Sequence, residues 1–289
     1  MRQPCDCRWF FICKGNAMNA IHIISTAPFF AKGGKEYSME DFDLYCTALS
    51  ALCWRKLNGK ITLCADKKGA EYFEKIGFAP LWDGISVCVP DDLGGVDPAM
   101  FWAGGKIFAL AAVSAPVVMI DTDFIVWEKL EFGEEIIAAH REELMPDVYP
   151  PLAFFRTNGH IIPDFSESVL PLNTAFLYLP DNDFKEFYTS QAISFMKSAV
   201  SCGDPLRYMV FAEQRMLAMC ADYTGTPVKT LLDKDHLFFP QGSFTHLWGA
   251  KQAMRDNPQL RTDLLQKFRR RLVSDFPDYG FIADIIDNL

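Results

Sequence analysis

The sequence predicts an α/β fold with a mostly parallel central sheet flanked by helices, and three observations carry that prediction. Short, wholly apolar runs suited to strands covered on both faces alternate with longer runs whose apolar residues recur at steps of three and four. Three strand-then-helix units precede a fourth strand, with no internal repeat, low-complexity run or linker between them. That fourth strand, within residues 115–127 (APVVMIDTDFIVW), runs into two acids, Asp121 and Asp123, at the end where open α/β sheets collect ligands.

Composition narrows the class. A chain of 289 residues, 50% hydrophobic and 22% charged, can build a sizeable core, and residues 18–289 read as a single domain. Residues 1–17 read as an unstructured extension or an upstream start, because Met18 directly precedes a clean first strand. A formal net charge of -9 argues against a general nucleic-acid binder, whose affinity rests on Lys and Arg neutralising phosphates. Nine cysteines, at 5, 7, 13, 46, 53, 64, 88, 202 and 220, are an odd number scattered through apolar segments. That usage fits free thiols in a reducing compartment and predicts a cytoplasmic location. No apolar run approaches the roughly 20 residues of a membrane span, so no integral membrane segment is expected. The apolar cluster at residues 9–13 is shorter than a signal-peptide core of roughly 7–15 residues.

Along the chain, residues 20–25 (AIHIIS) form the first strand, and residues 26–35, with Pro28 and the Gly33-Gly34 pair, form a loop. This is a natural first strand-to-loop edge for a nucleotide site, which makes His22, Ser25 and Thr26 candidate cofactor contacts, joined by Asp66 after the strand at 61–65. Behind Ser38, the residues Phe42, Tyr45, Cys46, Leu49, Leu52 and Cys53 mark one apolar helix face. A short helix at 70–76 stops at Gly77, a third strand spans 85–89, and residues 98–114 read as helical despite Gly104-Gly105. Lys106 in that helix is either a snorkelling surface lysine or a cation aimed at the site.

After Trp127 the pattern loosens. Residues 136–140 read as a strand, and 145–164, with four prolines, as a long loop. Residues 172–179 form a strand entered by Asn173-Thr174, and Asp181 and Asp183 read as caps of a helix at 184–200. In the helix at 207–223, Glu213, Gln214 and Arg215 interrupt the apolar positions, and Glu213 and Gln214 read as an exposed stripe or as site residues. A late strand at 228–232, the segment 244–251 and a helical tail at 260–289, whose basic patch at 267–271 reads as a solvated face, complete the chain.

The chemistry concentrates at the Asp-Thr-Asp step. Two acids at a spacing of two leave an extended chain on the same side, around Thr122, where they can hold a hard divalent cation, share a proton, or simply satisfy a turn. Of five histidines (22, 140, 160, 236, 246), His246 is the most suggestive, because Gly249 permits close backbone approach and an imidazole can complete a metal site begun by carboxylates.

On these residues the chain resembles the nucleotide-sugar glycosyltransferases of the GT-A fold, particularly the retaining, glycogenin-like branch. The resemblance is carried by the D-x-D at Asp121 and Asp123, Lys106 on the preceding helix, the Asn173 strand and the H-x-x-G at His246 to Gly249, in order over about residues 18–251. It implies Mn2+, or Mg2+, bound by Asp121, Asp123 and His246 and bridging the diphosphate of a UDP-sugar donor. It further implies donor contacts from Lys106, Thr122, Gly249 and Lys251. The acceptor is a saccharide or another hydroxyl compound, with Asn173, Glu213 and Gln214 all qualifying as the residue beside the reacting sugar. The family's late motif continues to Lys-Pro-Trp, whereas Lys251 comes one position early and Gln252-Ala253 follows. Two other readings stay open: a non-catalytic sugar-nucleotide binder of the same fold, and a haloacid-dehalogenase-like phosphatase with Asp121 as nucleophile. The phosphatase motif normally opens its fold, and here three strand-helix units precede it.

Overall fold

The computed structural model describes residues 18–200, 203–232, 242–247 and 250–289. The expectation for residues 1–17 and the calls on His236 and Gly249 lie outside them. In chain order the elements are β1 (Ala20–Ile24), α1 (Ala27–Ala31), α2 (Asp41–Leu57), β2 (Ile61–Ala65), α3 (Lys67–Lys75), β3 (Gly84–Val87), α4 (Gly104–Ala112), β4 (Val117–Ile120), β5 (Phe124–Val126) and β6 (Ile136–Arg141). They continue with β7 (Arg156–Thr157), β8 (Leu172–Leu179), α5 (Asn182–Ser198), β9 (Ala199–Val200), α6 (Pro205–Val210), α7 (Met216–Thr224), β10 (Val228–Thr230), β11 (Phe244–His246), α8 (Ala250–Asp256), α9 (Pro258–Asp275) and α10 (Gly280–Asp287).

The main sheet runs β10-β6-β8-β4-β1-β2-β3. Every neighbouring pair is parallel except those of β8, which is antiparallel to both β4 and β6. The α/β class and mostly parallel sheet predicted from the apolar runs are therefore present. β4 (VVMI) is buried at all four positions, and so is every residue of β8, as expected where helices cover both faces. On one face β1, β2 and β4 pack with α2, α9 and α10; on the other lie α4, α5 and α7.

Local signals account for the helix ends. α2 starts with Asp41 and Asp43 in its first turn and finishes with Arg55 and Lys56 in its last, complementing the helix dipole. Asp181 accepts a hydrogen bond from the Phe184 N–H, as the capping expectation for α5 required. The helix expected over 98–114 occupies only Gly104–Ala112. Its glycines serve close packing: a Cβ on Gly105 would come within 2.7 Å of the Ser25 Cβ.

Two features were not anticipated. The helix expected over 207–223 widens at Phe211–Arg215 into a π turn between α6 and α7. The apolar run after the D-x-D leaves the main sheet and pairs, as β5, antiparallel with β11, placing His246 opposite Phe124.

Five cysteines among the described residues, 46, 53, 64, 88 and 220, are free thiols. Among the described residues no helix is long and apolar enough to cross a membrane.

Candidate functional site

The carboxyl ends of β1, β2, β4 and β6 and the amino end of the antiparallel β8 share one rim of the sheet, since β8 alone runs the other way. Along that rim stand Asp66 after β2, Ser25 and Thr26 after β1, Asp121 to Asp123 after β4, Asn173 and Thr174 on β8, and His140 to Glu142 at the end of β6.

At its centre is a compact ion cluster. The Lys106 Nζ, delivered by α4, lies 2.7 and 2.8 Å from the two Asp121 oxygens and 2.7 Å from Glu213 Oε1. Thr174 Oγ1 donates to the same Glu213 oxygen at 2.5 Å. Glu213 reaches this point because it sits on the π turn, whose extra residue rotates it off the helix periodicity; such turns are frequent at functional sites. With Glu213 only 5% exposed and the Lys106 side chain 19%, neither the exposed-stripe reading of Glu213 nor the surface-lysine reading of Lys106 holds. Burial works against the Lys106 charge, but Asp121 and Glu213 more than offset it and hold the ammonium well above its usual pKa. Burial, with Asp123 and Glu213 adding to it against Lys106, raises Asp121 to about 6.

A second cation closes the other end. Lys251 Nζ, at the start of α8, lies 2.9 Å from Asp43 Oδ1 on α2 and 3.3 Å from Asp123 Oδ2. Its pKa too is raised, because Asp123 and Asp43 outweigh burial. Thr122 stands half-buried between the two acids. His246 lies beside them: the Leu247 N–H donates to the Asp123 carbonyl, and the imidazole stacks tilted on Phe124 at 5.5 Å. Burial lowers His246 to about 4 despite the pull of Asp123, so its ring is neutral at physiological pH.

Two carboxylates and a neutral imidazole are the donor types a divalent cation takes. Among the described residues, however, no three His, Cys, Asp or Glu side chains converge closely enough to hold an ion, the acids being engaged by Lys106 and Lys251. Ser25 Oγ, at the end of β1, is buried with no hydrogen-bond partner among the described residues, which leaves a polar atom for a bound ligand to satisfy.

Three sequence-based cofactor candidates have polar side-chain atoms engaged within the protein. His22 is fully buried in the core: its Nδ1 accepts from Trp82 Nε1 at 3.2 Å and its Nε2 bonds Ser50 Oγ at 3.0 Å, and burial drives its pKa to about 3. Ser50 passes the chain on to the Phe124 carbonyl. With both ring nitrogens used by the protein, His22 braces the strand after the D-x-D through Ser50. Thr26 and Asp66 spend their polar atoms on each other: Asp66 accepts from the Thr26 N–H and hydroxyl and caps α3 through Gly69, and both are buried.

On the far side of the D-x-D, Asn173 is locked, its Oδ1 accepting from the Ala175 N–H at 3.0 Å and its Nδ2 donating to Glu142 Oε1 at 2.9 Å. Gln214 Oε1 accepts from the Tyr149 hydroxyl at 2.6 Å, and Arg215 clamps the same loop through the Pro150 and Glu167 carbonyls. His140 and Glu142 were not singled out by sequence reasoning. The signal was available: polar residues at the carboxyl end of an apolar strand, the rule that found Asp121. A register shift between Ala138 and His140 there marks a bulge, a common device for re-aiming side chains.

The sequence matches, over residues 28–280, the family described as "Family of unknown function (DUF6734)". The chain belongs to that family. No curated protein matches it. Among solved structures it is similar to the apo-form glycosyltransferase GlyE of Streptococcus pneumoniae TIGR4 at 15% identity and a TM-score of 0.39, over 74% of this chain and 45% of that one. The PaToxG glycosyltransferase follows at 11% identity and a TM-score of 0.43, over 94% and 84% of the two chains. Mouse xyloside xylosyltransferase 1 in its apo form is 13% identical with a TM-score of 0.40, over 80% and 97%. The chain thus spans less than half the length of the GlyE chain. Likenesses this distant assign it no activity.

Proposed function

We propose that this chain is a glycosyltransferase of GT-A type that takes a sugar from a nucleoside-diphosphate donor, a UDP-sugar in the reading from its motifs, and passes it to a hydroxyl acceptor. The observation that carries this is the cation-acid cluster at the carboxyl end of β4, where Lys106 and Lys251 flank Asp121 and Asp123. A diphosphate leaving group departs when the negative charge it develops is neutralised, and two preorganised ammonium groups at a rim of low dielectric supply that. The orphan Ser25 hydroxyl lies on the β1 side, where the nucleotide half of the donor would sit.

Asp121, Asp123 and His246 are the residues that would hold Mn2+ or Mg2+, which supplies Lewis acidity toward the departing diphosphate. Asp121 and Asp123 would hold an ion only once freed from Lys106 and Lys251, for which a bound diphosphate would be the alternative partner. Lys106 and Lys251 then neutralise phosphate oxygens, while Glu213, held by Thr174, keeps Lys106 in place.

Calorimetric titration of UDP with and without Mn2+ tests this. Binding that depends on Mn2+ and falls at least about 100-fold in Asp123→Ala is expected; binding indifferent to both would remove the reading.

A further inference from the structure

Four acids around the D-x-D and the end of β6 are not equivalent. Asp121 and Glu213 share Lys106, and Asp123 holds Lys251. Glu142, at the end of β6, has no Lys or Arg partner among the described residues. Its Oε1 accepts the Asn173 amide at 2.9 Å and lies 3.8 Å from His140 Nδ1, whose own closer contact is the Arg141 carbonyl at 3.2 Å. Its side chain is 20% exposed. An ionised carboxylate accepts up to about four hydrogen bonds, so Glu142 keeps most of its capacity unspent.

Sheet order says which substrate it meets. β1 and β2 lie on one side of β4, while β8 and β6 lie on the other. If the nucleotide occupies the β1 side and its diphosphate the D-x-D, whatever receives the sugar approaches over β8 and β6. There the rim presents the Glu142 carboxylate, 20% exposed and braced by the buried Asn173 amide. A carboxylate with both oxygens able to accept matches two adjacent hydroxyls on one ring, each donating to one oxygen. Asn173 cannot turn away, because Ala175 N–H holds its other end.

We propose that Glu142, braced by Asn173, is the acceptor-binding carboxylate of this site and that the acceptor is a saccharide, whose vicinal hydroxyls the carboxylate reads. This rests on the glycosyltransferase reading above. In that scheme Asn173 is a positioning residue: it acts on the acceptor mainly by orienting Glu142.

The test uses the full chain with Mn2+, a set of UDP-hexoses and UDP-N-acetylhexosamines, and as probes the methyl α- and β-glycosides of glucose, galactose, mannose and N-acetylglucosamine. Release of UDP is followed against glycoside concentration. The expected result is that at least one glycoside accelerates UDP release. Glu142→Gln should raise the KM for that glycoside at least tenfold, and Asn173→Ala should raise it severalfold, while the UDP affinity of both variants, measured by calorimetry, changes less than twofold. Unchanged UDP affinity also shows that the variants are folded. An unaltered KM in Glu142→Gln, or a wild-type chain that turns over the donors but is accelerated by none of the glycosides, would overturn the proposal. A wild-type chain that binds no UDP would instead sink the glycosyltransferase reading, and this inference with it.

Discussion

Two buried polar networks lie close together in this molecule and are built on opposite principles. The Trp82, His22, Ser50 and Phe124 chain is neutral, lies inside the core and uses the polar atoms of every side chain it contains. The Lys106, Asp121, Glu213 and Thr174 cluster is charged, sits at the rim, and neighbours a half-exposed Asp123–Lys251 pair and an orphan Ser25 hydroxyl. Both reach the D-x-D: the first ends on the Phe124 carbonyl directly after it, and the second includes Asp121. Burial of polar residues therefore does not separate scaffold from site; spare bonding capacity and uncancelled charge do.

The sharpest way to break this contrast is Lys106→Met. It strands Asp121 and Glu213 as buried acids, and removing one partner of such a group costs about 3–5 kcal/mol. Urea unfolding should show that loss, and adding Glu213→Gln to the same chain should recover part of it. No loss would mean that the cluster is solvated and the electrostatic account wrong.

Ser50→Ala should act more modestly. It leaves His22 Nε2 and the Phe124 carbonyl without their partner, a cost of about 1–3 kcal/mol for a buried unsatisfied group. Stability should fall, and any UDP binding should be reduced only through a loosened β5. A Ser50→Ala chain of full stability that nevertheless lost UDP binding would place this network in the site after all.

Taken per pH unit, the smallest effect is a slope of stability with pH. In the unfolded chain the His22 imidazole titrates near its ordinary value of 6.5, whereas burial holds it at about 3 in the fold. Between those values the unfolded state carries more protons. The His22 contribution is complete above about pH 6.5 and is lost as pH falls through that window, by at most about 1.4 kcal/mol per pH unit. In His22→Gln this part of the slope should vanish from the stability curve measured between pH 4 and 7.

The same contrast explains what the sequence made legible. β4 and its D-x-D announce themselves locally, as an unbroken apolar run closed by two acids, and the α5 cap follows from Asp181 alone. His22 reads as a site residue from its neighbours, because its actual partners, Ser50 and Trp82, come from α2 and from the segment before β3. For Glu213 the sequence leaves an exposed stripe and a site residue both open, because helical spacing assigns it to a polar stripe. Its burial depends on a π turn and on Lys106, 107 positions earlier, neither of which leaves a periodic trace. The β5 and β11 ribbon escaped for a similar reason: strands of three residues carry too little alternation to show. Glu142 was within reach, since the strand before it was recognised and the rule that found Asp121 was not carried over to it.

The central claim is that the charged rim releases sugar from a nucleoside diphosphate. Its most direct test is donor turnover: UDP-hexoses and UDP-N-acetylhexosamines incubated with the purified chain and Mn2+, with UDP formation followed in the wild type and in Asp123→Ala. Release of UDP by the wild type from at least one donor, reduced at least about 100-fold in the variant, is the predicted result. UDP that binds tightly while no donor is cleaved would contradict it, and would leave a sugar-nucleotide-binding protein that keeps the rim without the turnover.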